Sequence, residues 1–249
     1  MASIGLTFNI YNDALALPGL LENAAPFFDA ITAVHAGPNG KLSDDGTIEI
    51  LERWGVRICM SSINEGFGAV RTQCIRESMT DWVMIMDADE RFFPLMPALT
   101  CEGTEKYPDI DAPNLTVINE GKIYNQGALL RKVIETPGAF AIRTSRRHWF
   151  DYSMKRPTQN WQTVEPDWQL RIVKNDPRVR YTSNVKMHER IVFGDTGKEP
   201  SHVAFNQELT NALYHDHFHC FWKPQEPAQR EHDVRIYDAL CNNTDIPSE

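Results

Sequence analysis

Several residues in this chain have the types and spacing that chemistry requires. Asp87-Ala88-Asp89-Glu90-Arg91 follows an apolar run, Trp82 to Met86, in the stretch "DWVMIMDADER". Two carboxylates one residue apart on a turn can share one hard divalent cation, Mn2+ or Mg2+, which prefers oxygen ligands and would neutralise a diphosphate beside it. A phosphatase of the haloacid type would want Thr or Val two places after the second Asp, where this chain has Arg91. Further on, Glu189 in "MHER", Asp167 in "DWQLR" and Glu165 are carboxylates able to act as a general base toward a hydroxyl. His215, His217 and His219 alternate in "YHDHFHCF", so on a strand they share one face, where imidazoles can bind a metal. Arg143 to Arg156 (RTSRRHWFDYSMKR) mixes basic residues with Trp149, Phe150 and Tyr152. It reads either as a loop with aromatics inward and charges in water, or as a clamp for a nucleic acid or for an anionic sugar or lipid.

The acids at 87 and 89 need a scaffold that brings them to a ligand. Apolar strand-like runs at Ile4 to Phe8, Ala30 to His35, Val56 to Met60 and Trp82 to Met86 alternate with helical patterns at Ala14 to Ala30, Thr47 to Trp54 and Phe67 to Met79. This rhythm predicts parallel βαβ units in a Rossmann-like, doubly wound α/β sheet, whose ligands sit at the carboxyl ends of the strands. From about Phe92 the rhythm is lost. Strand-like pieces at Asn114 to Ile118, Ala139 to Ile142, Gln169 to Val173 and Val185 to His188 predict a mixed-strand C-terminal half, closed by a helix over Gln225 to Leu240. The expected organisation is a single domain over residues 1–240, with a nucleotide-binding half (1–91), an acceptor-side half (92–240) and a tail (241–249).

The 249 residues are 42% hydrophobic and 24% charged, which excludes disordered, collagen-like and coiled-coil classes. A formal charge of -9 argues against bulk attraction to nucleic acid. No apolar run reaches the roughly 18 residues of a membrane span. The N-terminus lacks signal-peptide features, and five widely spaced cysteines without a CxxC pair point to reduced thiols. The expected location is therefore the cytoplasm.

"GAVRTQCIRESMTDWVMIMDADERF" resembles the "ARN…DADE" stretch of family 2 glycosyltransferases, and especially the small soluble bacterial branch that includes lipopolysaccharide core glucosyltransferases. The resemblance continues in order: Tyr11-Asn12-Asp13, Ser43-Asp44-Asp45-Gly46-Thr47, "DWQLRIV" (Asp167 to Val173), "VKMHERI" (Val185 to Ile191) and "LYHDHF" (Leu213 to Phe218). It implies a GT-A fold and a metal-dependent enzyme using Mn2+ or Mg2+. That enzyme would move a hexosyl or pentosyl group from a nucleotide-sugar donor to a glycan, lipid-linked sugar or protein, with inversion, and the basic, aromatic stretch from Arg143 to Arg156 adds a modified nucleobase as a minor alternative acceptor. It further implies donor contacts from Phe8, Asn12, His35, Arg71, Asp87 and Arg171. Metal ligation would fall to Asp87 and Asp89, completed by His215 or else His188, and Glu189 or Asp167 would be the base. The chain departs from the family at His35, where an acid commonly reads uracil, and at Thr72, in place of the Asn of "ARN". A UDP-sugar is the first expectation, with the base left open. The competing classes are a catalytically silent sugar-binding scaffold and a nucleotidyltransferase. The second normally carries a basic, glycine-rich loop after the first strand, where this chain has Asn9-Ile10-Tyr11-Asn12-Asp13.

Overall fold

The computed structural model describes residues 1–92, 116–119, 122–149, 167–182, 189–194, 196–200 and 214–218. Its first segment has the expected rhythm: β1 (Ile4–Ile10), α1 (Leu17–Ala24), β2 (Ala30–His35), α2 (Thr47–Arg53), β3 (Arg57–Met60), α3 (Phe67–Glu77) and β4 (Trp82–Ile85). Helix α1 is shorter than the apolar spacing predicts, because Pro26 falls in a separate 3-10 turn over Ala25–Phe27. Thereafter come β5 (Glu90–Phe92), β6 (Thr116–Asn119), β7 (Lys122–Asn125), α4 (Gln126–Ile134), β8 (Ala141–Trp149), β9 (Asp167–Lys174), β10 (Val179–Tyr181), β11 (Ile191–Phe193) and β12 (Tyr214–Phe218).

Eight strands form one sheet in the order β3-β2-β1-β4-β9-β8-β12-β5. β3, β2, β1 and β4 are parallel to their neighbours, β9 is antiparallel to both β4 and β8, β12 is parallel to β8, and β5 is antiparallel to β12. Six strands therefore share a direction, and only β9 and β5 oppose it. This is the mostly parallel α/β sheet with mixed strands in its second half that the sequence predicts. After β1 the chain steps outward to β2 and β3, then returns to place β4 on the other side of β1. That reversal opens a crevice at the carboxyl ends of β1 and β4.

Both faces are covered, as parallel strands require. Leu6, Phe8 and Ile10 of β1 and Trp82 and Met84 of β4 pack with Leu17, Leu20, Leu51, Leu130 and Val133 of α1, α2 and α4. The opposite face buries Val83 and Ile85 with Ile75 of α3 and the β10–β11 hairpin, and Val34 with Val70 and Cys74. Burial holds the Cys74 thiol protonated, pushing it up to about 12. Among the described residues Cys59 and Cys74 are free thiols.

Two sequence expectations change. Arg143 to Trp149 belong to β8 and are not a loop, because β8 is zipped between β9 and β12. Helix α4 lies in a region read as strands and loops; its apolar residues Leu129, Leu130, Val133 and Ile134 do recur at helical spacing. The strand expected over 185–188 and the helix expected over 225–240 lie outside the described residues. No helix among the described residues is long and apolar enough to cross a membrane.

Candidate active site

The turn after β4 stands at the crevice, and its acids are held from beneath. The Asp87 N–H donates to Glu90 Oε2 at 3.0 Å. Glu90, with its side chain fully buried, accepts from Arg171 on β9 at 2.5 Å; Arg171 is itself 4% exposed and also reaches Asp87 Oδ2 at 3.4 Å. Arg146 of β8 stands 4.0 Å from the same Glu90 oxygen. Arg91 is buried and points the other way, donating to the carbonyls of Ala88, Glu90 and, across the domain, Ala16. Gly19 of α1 is required there, since a Cβ would fall on the Arg91 guanidinium. The residue that argues against a phosphatase thus acts as a staple that locks the acidic turn to α1.

Arg71 is the central group of the site. One face of α3 delivers it because Gly68, one turn earlier, lets the helix lie directly on the Thr182 carbonyl of the strand-end after β10. Thr72, which replaces the family Asn, donates to Gly68 O and accepts from the Tyr181 N–H, tying α3 to β10. The guanidinium then donates to Asp87 Oδ1 at 2.6 Å, pairs with Glu189 Oε1 at 3.0 Å and reaches Asn9 Oδ1 at 3.4 Å. Burial disfavours its charge, but Asp87 and then Glu189 more than compensate and raise its pKa. For Asp87, burial raises the carboxyl while Arg71, ahead of Arg171, lowers it, and the arginines prevail.

Asp89 faces a different partner, with His217 Nε2 3.2 Å from its Oδ2. The antiparallel register that sets His217 opposite Glu90 brings β12 to this turn. Burial lowers the imidazole, but the hydrogen bond to Asp89 and that carboxylate's charge raise it overall. His217 is the residue sequence reasoning passed over in favour of His215. Alternation puts both on one face, and only the β12–β5 register distinguishes them. The His215 side chain and His188 lie outside the described residues. No cluster of three or more His, Cys, Asp or Glu side chains suited to a metal occurs among the described residues. Asp89 and His217 nevertheless present a carboxylate and an imidazole that would suit a divalent cation, and such a cation would neutralise a phosphorylated ligand beside them. Asp87, gripped by two arginines, is less available to it.

The loops after β1 and β2 are laced together. Asn12 donates its N–H to Ser43 Oγ and accepts from the Asp44 N–H, in a left-handed conformation (φ 51°). His35 Nε2 accepts from the Ser43 N–H at 3.0 Å, so a neutral ring carries its proton on Nδ1, and burial lowers its pKa. Asp13 accepts from the Tyr11 N–H, and its carboxyl is pushed up to about 7, chiefly by burial, with the charges of Asp89, Asp45 and Asp87 adding. Phe8 is corrected: its ring is wholly buried in the core, because β1 alternates and residue 8 points away from α3. Arg171 is likewise beneath the site, holding its acids in place.

On the far side of β4, a cavity of about 350 Å³ is lined by residues that include Arg71, Arg143, Gln169, Arg171, Tyr181, Glu189, Arg190 and Glu199. Glu189 stands at its wall with a 6% exposed side chain. Asp167 opens β9 in register with Arg146, and its side chain, like Glu165, lies outside the described residues.

An open, mostly parallel α/β sheet with mixed strands and an arginine-bound acidic turn at its switch point has the GT-A architecture. Residues 42–154 match the model of Glycosyl transferase family 2, and the family read from the sequence is supported. No curated protein matches the chain significantly. Among solved structures, the chain is similar to residues 1–349 of Staphylococcus aureus TarS in complex with UDP-GlcNAc, with 12% identity over 99% of this chain and 68% of that one and a TM-score of 0.48. Glucosyl-3-phosphoglycerate synthase from Mycobacterium tuberculosis, in complex with Mn2+, UDP and glucosyl-3-phosphoglycerate, is 12% identical over 59% of this chain, with a TM-score of 0.37. The mannosyltransferase PcManGT from Pyrobaculum calidifontis, in complex with GDP-Man and Mn2+, is 15% identical over 59% of this chain, with a TM-score of 0.36. The chain spans 44% of the mycobacterial synthase and 36% of the mannosyltransferase, less than half of each.

Proposed function

We propose that this protein transfers a sugar from a nucleotide-sugar donor, a UDP-sugar first among candidates, to an acceptor hydroxyl, with inversion and with Mn2+ or Mg2+. The observation that carries this reading is the reach of Arg71. A single guanidinium touches Asp87 at the switch point and Glu189 at the cavity wall, so a donor phosphate and an acceptor would meet within its span. The nucleoside would lie over the ends of β1 and β2, near Asn12 and His35. Asp89 and His217 would hold the divalent cation, whose contribution when bound is to neutralise the diphosphate. Arg71 would stabilise the charge that develops on the departing nucleoside diphosphate, in a site arranged beforehand by Arg91, Arg171 and Glu90. Glu189 would accept the proton of the acceptor hydroxyl as its oxygen bonds to the anomeric carbon. The bond from that carbon to the phosphate oxygen breaks on the opposite side. Asp167 is the second candidate for the base.

The test is calorimetric binding of UDP, GDP, dTDP and CMP with and without manganese. The expected result is manganese-dependent binding of one diphosphate that is lost in Asp89→Ala while the variant keeps its melting temperature. Full affinity in Asp89→Ala would remove Asp89 from the metal site, and no binding of any nucleotide would overturn the donor assignment.

A further inference from the structure

The cavity beside Glu189 carries a charge excess that a neutral sugar acceptor does not require. Among the described residues, four guanidinium groups line it against two carboxylates, in a chain whose net charge is -9, so the concentration is local and not a by-product of a basic protein. Arg71 and Arg171 are committed to the acids of the turn. The other two differ. Arg190 is exposed, and among the described residues its guanidinium has no ion pair. Arg143 pairs with Glu199 at 2.6 Å, but these side chains are 33% and 40% exposed, so another anion can compete for the guanidinium. Two buried N–H groups on this wall, Nε of Arg143 and Nε of the almost fully buried Arg171, lack a hydrogen-bond partner among the described residues. Buried donors are ordinarily satisfied, and an arginine fork matches the oxygens of a phosphate or carboxylate.

Building on the transferase reading, we propose that the acceptor is itself an anion. It is a hydroxyl compound bearing a phosphate or carboxylate, whose oxyanion is held by Arg143 and Arg190 while its hydroxyl faces Glu189. Arg190 adjoins Glu189 in sequence, which ties the anion contact to the proposed base at the length of a small molecule. Glu199 would be displaced from Arg143 on binding.

The test uses three probes of one size, glycerol 1-phosphate, glycerate and glycerol, titrated into the full chain with and without saturating UDP and manganese. At least one of the two anions should bind and glycerol should not; which anion binds identifies the oxyanion. Arg190→Gln and Arg143→Gln should each weaken that binding roughly tenfold or more, the loss expected for a charge-assisted contact. UDP affinity should stay within about twofold of wild type. Arg190 is exposed, so its variant should fold, and equal melting temperatures check this. Failure of both anions to bind, equal binding of glycerol, or unchanged affinity in both variants would overturn the proposal. UDP binding is read separately, so loss of the donor reading and loss of the anionic acceptor give different results.

Discussion

Replacing Arg171 by Met tests whether the acidic turn is held from below. Its guanidinium meets Glu90 at 2.5 Å with side chains 4% and 0% exposed, and it also reaches the Ile85 carbonyl and Asp87. Removing one partner of a buried ion pair leaves an uncompensated charge and costs about 3–5 kcal/mol. Two contacts soften the loss: Arg146 lies 4.0 Å from the stranded oxygen, and the Asp87 N–H remains on the other. The lower end of the range is therefore expected, about 3 kcal/mol. At roughly 2 °C per kcal/mol for a chain of this length, the melting temperature should fall by about 6 °C. Urea unfolding measures the free energy and calorimetry the midpoint. The double variant Arg171→Met/Glu90→Leu replaces the pair with apolar groups and should recover most of the stability. It should not recover UDP affinity, because the Asp87 amide has lost its acceptor. A cost below about 1 kcal/mol for the single variant, or a double variant no more stable than the single, would refute the ion pair as the support of the turn.

Three further outcomes are expected. Glu189→Gln should lower transfer by about 10²–10⁴-fold while UDP affinity holds; an active Glu189→Gln beside an inactive Asp167→Asn would reassign the base to Asp167. Asp13 has a folded pKa of about 7, raised above an unfolded value near 3.8, so the folded state binds the extra proton between about pH 4 and 7 and stability falls as pH rises through that window. Since Asp13 keeps some solvent exposure, Asp13→Asn should gain only about 1–2 kcal/mol relative to wild type between pH 5 and pH 8, and parallel urea curves at the two pH values would count against it. Gly68→Ala should destabilise by about 1–3 kcal/mol and weaken UDP binding, because its Cβ falls on the Thr182 carbonyl and displaces the helix that carries Arg71; unchanged melting and affinity would contradict the close packing.

Much of the first half was legible because its information is local. β1 to β4 alternate with α1 to α3, each strand is a short apolar run, and the acids at 87 and 89 stand one turn beyond a strand buried on both faces. An amphipathic period and a turn are written in adjacent residues, so sequence by itself determines the parallel α/β half and the acidic turn, while Arg71 and Glu189 are candidates through the family resemblance of their motifs. The tertiary structure decided what depends on register and on crossing distance. His217 became a partner of the turn because β12 pairs antiparallel with β5. Phe8 left the list of donor contacts because the pleat turned it into the core. Glu189 came to share Arg71 with Asp87 across more than a hundred residues of chain. Such pairings are energetic only once distant segments are packed and dried, since a charge meets its partner within a few ångströms or is screened by water.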